Sequence, residues 1–202
     1  MSIIHGLSII ANGAFILKSG HVKKTIDLQY GRIFYNDSII SLNDYKWIPT
    51  MNPFSVIPHK HISSHLITVK SFFDTIQASV KYEPIREILF QVGSFIETPN
   101  INRNFSIWTI LYGITDTVFY YMNQKFSLSK KDSINELGLE YSELKRFSGT
   151  ANNFDFLGIY ARHGKQNWNI PKNPMSLEES YSFAFNLANK FINYYHFKVN
   201  EI

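Results

Sequence analysis

Residues 7–20 read LSIIANGAFILKSG: two short apolar runs, Leu7–Ile10 and Ala14–Leu17, separated by Asn12-Gly13 and closed by Lys18-Ser19-Gly20. How this stretch is read decides the fold class. Asn and Gly both tolerate the positive φ that a type I′ turn demands, so Asn-Gly between two apolar runs is a strong short-range hairpin signal. The pattern continues outward. In TIDLQY, Ile26, Leu28 and Tyr30 alternate; Gly31 interrupts, RIFY (32–35) resumes, Asn36-Asp37 turns the chain and SIIS (38–41) comes next. The spacing predicts an antiparallel meander of roughly four or five strands over residues 1–50, too small for a strong core of its own and therefore packed on the remainder of the chain.

Beyond residue 50 the periodicity changes from two to three and four. Leu66, Val69, Phe73, Ile76 and Val80 form one helical stripe. Pro84 stands where a first helical turn tolerates it, ahead of Ile85, Ile88, Leu89, Val92 and Ile96, with Pro99 as a stop. Trp108, Leu111, Tyr112, Thr115, Val118, Phe119 and Met122 make another stripe. Ser176-Leu177-Glu178-Glu179 is a capping box that opens a last helix carrying Leu177, Tyr181, Ala184, Ala188, Phe191 and Tyr195 to about Phe197. The expected fold is α+β, mainly α: a β-meander subdomain over 1–50 and a helical bundle domain over 51–202. The strongest stripes, near 105–125 and 176–197, are expected to meet in one core.

Composition excludes several classes. The chain has 202 residues, 45% hydrophobic and 18% charged, which is globular usage. Its apolar runs fall far short of the roughly 20 residues that span a bilayer, and the N-terminus has no basic flank before its apolar stretch; no membrane association and a cytoplasmic location are expected. Cysteine is absent, which removes disulfides, thiolate nucleophiles and Cys-based zinc sites. Twenty basic against 16 acidic residues is compatible with a polyanionic partner but does not require one. Aromatic residues reach 16%, enough to supply an apolar interface or base-stacking surfaces as well as a core, and a two-fold dimer is expected.

One set of residues carries a resemblance. Trp108, Leu111 and Tyr112, an acid at Asp116, then Ala151-Asn152, Gly158, Ala161-Arg162-His163-Gly164 and Pro174 to Glu179 together resemble small bacterial proteins of the HEPN superfamily of helical domains, over roughly residues 80–197. The resemblance implies a dimeric helical bundle that, in active members, cleaves RNA without metal or other cofactor. Such cleavage uses an Arg and a His to take the proton of a ribose 2′-hydroxyl and to hold charge on phosphorus. It points to Arg162 and His163 as catalytic residues with Asp116, Asn152 and Tyr112 in support, and to RNA, a second copy of the chain and a cognate partner protein as partners, in a defence or toxin role. The superfamily spacing, Arg followed by His four to six residues later, is not met: Arg162 and His163 are adjacent, and Lys190 to His196 is the nearest imitation. On a regular helix adjacent side chains point about 100° apart.

The residues themselves leave alternatives open. Arg162 can be paired to a nearby acid with His163 facing solvent, can clamp an anion, or can act in catalysis. Asp116, on an aromatic stripe, requires a partner, for which Arg162 is the candidate. Asn152 fits a helix C-cap as well as a substrate contact. His59, His61 and His65 cluster, with His61 and His65 at a spacing that lets two imidazoles share a metal, yet no acid accompanies them and a solvated helix start fits equally. Two functions are compatible with these residues: a protein acting on RNA through Arg162 and His163, or a non-catalytic dimeric interaction module in which the same pair braces the bundle.

Overall fold

The structure is a computed structural model that describes residues 3–19, 34–35, 38–39, 70–97, 100–166 and 168–200. Of these, 81% are helical, so the fold is all-α and the expected α+β class is wrong. The elements are α1 (Ile3–Ser19), β1 (Phe34–Tyr35), β2 (Ser38–Ile39), α2 (Lys70–Lys81), α3 (Glu83–Glu97), α4 (Asn100–Phe126), α5 (Lys130–Glu136), α6 (Tyr141–Ala151), α7 (Phe154–Leu157), a 3-10 turn (Gly158–Tyr160) and α8 (Leu177–Asn200). The β-meander is the error. LSIIANGAFILKS lies within a single helix, α1. The only β structure among the described residues is a ladder of two residues a side, Phe34 opposite Ile39 and Tyr35 opposite Ser38, too short to make a sheet. TIDLQY and the change of pattern near residue 50 lie outside the described residues.

Packing divides the chain into two compact units, 1–96 and 97–202. In the first, Gly6, Ile9, Ile10, Gly13 and Ala14 are buried on α1, and their spacing of three, four, seven and eight is a helical face. Asn12-Gly13 makes no turn. Gly13 is there because α3 comes so close that a Cβ would stand 1.9 Å from the Leu89 carbonyl oxygen, and reciprocally a Cβ on Gly93 would stand 1.9 Å from that of Ile9. The two helices thus meet backbone to backbone. Around this crossing Ile85, Ile88, Leu89 and Val92 are fully buried. The buried Arg86 guanidinium donates from Nη1 to the Ser79 carbonyl at the end of α2, 2.9 Å away.

The second unit is a helical bundle. α4 and α8 supply most of its core: Trp108, Leu111, Val118 and Met122 from one, Ala184, Ala188, Phe191 and Tyr195 from the other, all buried. Their rings meet at Tyr121–Phe191, with centroids 6.4 Å apart, and at Phe126–Tyr195, 5.9 Å. The two strongest stripes of the sequence do share one core. α6 adds Phe147, which touches Phe183 of α8 and stacks on Tyr112 of α4.

The entry to α8 is held from both sides. In the capping box the Glu179 amide donates to Ser176 Oγ at 3.1 Å and the Ser176 amide donates to Glu179 Oε2 at 2.7 Å. Arg146 of α6 then clamps the same point, donating to Glu179 Oε1 at 2.7 Å and to the Asn173 and Pro174 carbonyls. Its donors, the Ser176 amide first and Arg146 next, hold the Glu179 carboxyl below the ordinary carboxylate range. A carboxyl whose folded pKa is depressed contributes stability above its unfolded pKa and loses it as pH falls through the folded value. Thermal melts of the wild type and Glu179→Gln should therefore differ most above pH 4.5, the ordinary value, and converge as the pH drops below it, because Gln keeps the reach-back contact but not the charge.

Candidate functional site: the Arg162–His163 face

α4 provides the platform. One turn apart on it, Tyr112 and Asp116 are both half-exposed, whereas Trp108, one further turn back, is buried in the core. The aromatic stripe therefore emerges from the core at Tyr112. Asn152, the C-cap residue of α6, is in the right-handed region and returns its amide to the Ser148 and Thr150 carbonyls. Its side-chain nitrogen lies 3.5 Å from the Tyr112 hydroxyl and its Oδ1 is buried without a partner. At that length the hydroxyl accepts only weakly from the amide nitrogen. Asn152 thus caps α6 and steadies Tyr112.

After α7 the chain leaves helical geometry. Gly158 takes φ +58°, where a side chain is strained; Ala161 is extended, and the Arg162 amide donates to the Ala151 carbonyl at 2.9 Å. This tie returns the connector to the end of α6 and aims Arg162 at α4. Its guanidinium carbon lies 3.9 Å from the centre of the Tyr112 ring, and Nη2 donates to Asp116 Oδ2 at 3.2 Å. Because residues 161–163 are not helical, adjacency does not separate the pair: Arg162 Nη1 and His163 Nε2 are 3.5 Å apart. The other wall of His163 is Trp168, edge to face at 6.4 Å.

Asp116 has a second cation that the sequence pattern does not announce: Lys130 Nζ, at the first position of α5, is 3.6 Å from Oδ1. Side-chain exposures of 32% for Arg162 and 42% for Asp116 make this an accessible pair, worth about 1 kcal/mol or less, with a similar amount from the ring contact. It is not the buried strut whose loss would cost several kcal/mol. Lys145 is likewise absent from the residues that the sequence singles out. Tyr141, Lys145 and Ser148 recur on one face of α6 and, with Tyr112, Asp116 and Lys130, line a cleft of about 170 Å³. A second cleft, of about 340 Å³, opens beside it between α4 and the start of α5. The spacing of Tyr141, Lys145 and Ser148 is a signal of a shared face; nothing in the sequence connects Lys130 to Asp116.

Arg162, His163, Asp116, Tyr112 and Asn152 are thus all brought together at one face. Among the described residues that line the smaller cleft, with Arg162 beside Asp116, three cations (Arg162, Lys130 and Lys145) stand against one carboxylate. Among the described residues no three His, Asp or Glu side chains are placed to share a metal, and His59, His61 and His65 lie outside them. No helix among the described residues is long and apolar enough to cross a membrane. A scan against protein-family models, a search of curated proteins and a search of solved structures each found no match.

Proposed function

We propose that the chain acts on RNA at this face, in the manner of a HEPN-like ribonuclease: Arg162 binds a phosphodiester and His163 moves the proton. The observation that supports it most is the position of Arg162, fixed by Tyr112 and Asp116 yet one-third exposed, with the His163 Nε2 3.5 Å from its own Nη1. A cation held in this way is preorganised for a phosphate oxygen, and its planar fork suits bidentate contact. The imidazole beside it is the side chain best suited to accept a 2′-hydroxyl proton near neutral pH. The 2′-oxygen then bonds to phosphorus while the 5′-oxygen leaves with a proton from solvent, giving a cyclic phosphate. Trp168, exposed and edge to face with His163, offers a π-face to an unpaired base.

The second reading, an interaction module braced by Arg162, is favoured by the apolar surface of the same connector, where Phe156, Ile159, Trp168 and Ile170 are exposed. One substitution separates the two. In Arg162→Ala, Asp116 keeps Lys130, so a loss of about 1–2 kcal/mol, a few degrees in Tm, is expected. Affinity for a single-stranded RNA should fall roughly tenfold or more, as when a hydrogen bond to a charged group is removed. A large fall in Tm with no RNA affinity to lose would establish the brace instead.

A further inference from the structure

The two clefts share a wall. Asp116, Phe119 and Lys130 line both, so the clefts are neighbouring compartments on either side of one carboxylate. Their chemistry differs. The smaller carries more cationic and hydroxyl groups, with Lys145 and Ser148 added to the shared Lys130 among Tyr112, Tyr141 and Leu144. The larger is aromatic and aliphatic, walled by Tyr120, which is 58% exposed, and among the described residues that line it the uncharged polar side chains besides the Tyr120 hydroxyl are Asn123 and Ser129. Asn123 already reaches toward the backbone carbonyl of Leu128 at 3.5 Å, too long to occupy its amide fully.

We infer that the paired clefts hold one ribonucleotide unit, its phosphate in the smaller compartment, its base in the larger and its ribose over Asp116. The inference rests on the RNA reading and names the unit that this face recognises. A phosphate asks for compact cations and a hydroxyl donor, which Lys130, Lys145 and Ser148 provide. A base asks for a flat apolar face and one or two polar groups at its edge, which Tyr120 and the Asn123 amide provide. The sugar between them presents hydroxyls to a carboxylate that has acceptor sites beyond the two used by Arg162 and Lys130. Two cations on Asp116 offset its repulsion of the phosphate. A 2′-hydroxyl donates to such a carboxylate and a deoxyribose has nothing to donate there, so Asp116 is the residue that distinguishes RNA from DNA. It is also the residue that holds Arg162, which joins the recognition of one ribose to the positioning of the reactive pair.

The test is titration of the isotopically labelled full chain, monitored by amide NMR, with a ribonucleoside 5′-monophosphate and with a single-stranded oligoribonucleotide and its deoxy counterpart. The monophosphate should move the amide signals of Asn123, Ser129 and Ser148, and the ribo-oligomer should bind severalfold tighter than the deoxy one. Tyr120→Ala, on an exposed side chain whose loss leaves the fold intact, should weaken the ribo-oligomer by roughly five- to a hundredfold, the range for a lost base stack. Lys145→Ala should weaken both oligomers alike, and Asp116→Ala, which leaves the 2′-hydroxyl no acceptor, should abolish the difference between them. If Tyr120→Ala and Lys145→Ala bind like the wild type while Arg162→Ala does not, the clefts are overturned and the RNA reading stands. If the monophosphate moves those signals but neither oligomer is retained, the cleft assignment stands and the RNA reading falls. Equal binding of the two oligomers by the wild type overturns the role of Asp116.

Discussion

Alanine at Gly13 or at Gly93 is expected to destabilise the first unit by about 3 kcal/mol or more, although glycine to alanine inside a helix ordinarily stabilises by about 0.5–1 kcal/mol. The sign reverses because of what the new methyl group meets. At both positions it would overlap a carbonyl oxygen of the opposite helix at 1.9 Å, and the atoms behind that oxygen are backbone, which no rotamer change can move aside. α1 and α3 would have to separate, and the loss of packing spreads along the buried Ile9, Ile85, Leu89 and Val92. Gly113 on α4 is the control: a Cβ there has nothing within 4 Å, so Gly113→Ala should be neutral or raise stability by about 0.5–1 kcal/mol. Circular-dichroism melts should show Tm falling by roughly 6–12 °C in the first two variants. A neutral Gly13→Ala would mean that the helices do not meet in this way.

His163→Ala is expected to lower the single-turnover rate of RNA cleavage by roughly 10²- to 10⁴-fold, the range for removing a general acid or base. RNA affinity and Tm should change little, because the half-buried ring makes only an edge contact with Trp168 and a long approach, 3.5 Å, to Arg162 Nη1, and because Arg162 and the lysines that attract the phosphate remain. This separation of rate from affinity distinguishes a proton carrier from a binding group.

Legibility along the chain tracks how local each signal is. The capping box at Ser176 and Glu179 and the stripes of α4 and α8 are readable because each is set within a few residues and nothing at longer range contradicts it. α1 is not, for a physical reason. Asn12-Gly13 carries the same letters as a hairpin turn, but the glycine serves a close approach to Leu89, some 76 positions away (89 − 13), which no window of local sequence contains. The series Gly6, Ile9, Ile10, Gly13, Ala14 is the available helical signal, and it is masked when the dipeptide is weighed above the period. At the site, the pairing of Arg162 with Asp116 follows from the demand that a carboxylate on an aromatic stripe be neutralised. Lys130 and Lys145 have no such local signal, since their arrival depends on how α5 and α6 fold back on α4. A separation of Arg162 from His163 by adjacency holds only on a helix, and the extended backbone at Ala161 removes that condition.

The most direct measurement is the end-group chemistry of a labelled single-stranded RNA after incubation with the full chain in the presence of a chelator. The expected result is cleavage with 2′,3′-cyclic phosphate ends by the wild type and none, over the same time, by His163→Ala that still binds the RNA. Intact RNA with the wild type at every protein concentration would contradict a ribonuclease at this face, and cyclic ends formed equally well by His163→Ala would remove His163 from the chemistry. Cleavage that disappears with the chelator would contradict the metal-independent mechanism and direct attention to His59, His61 and His65.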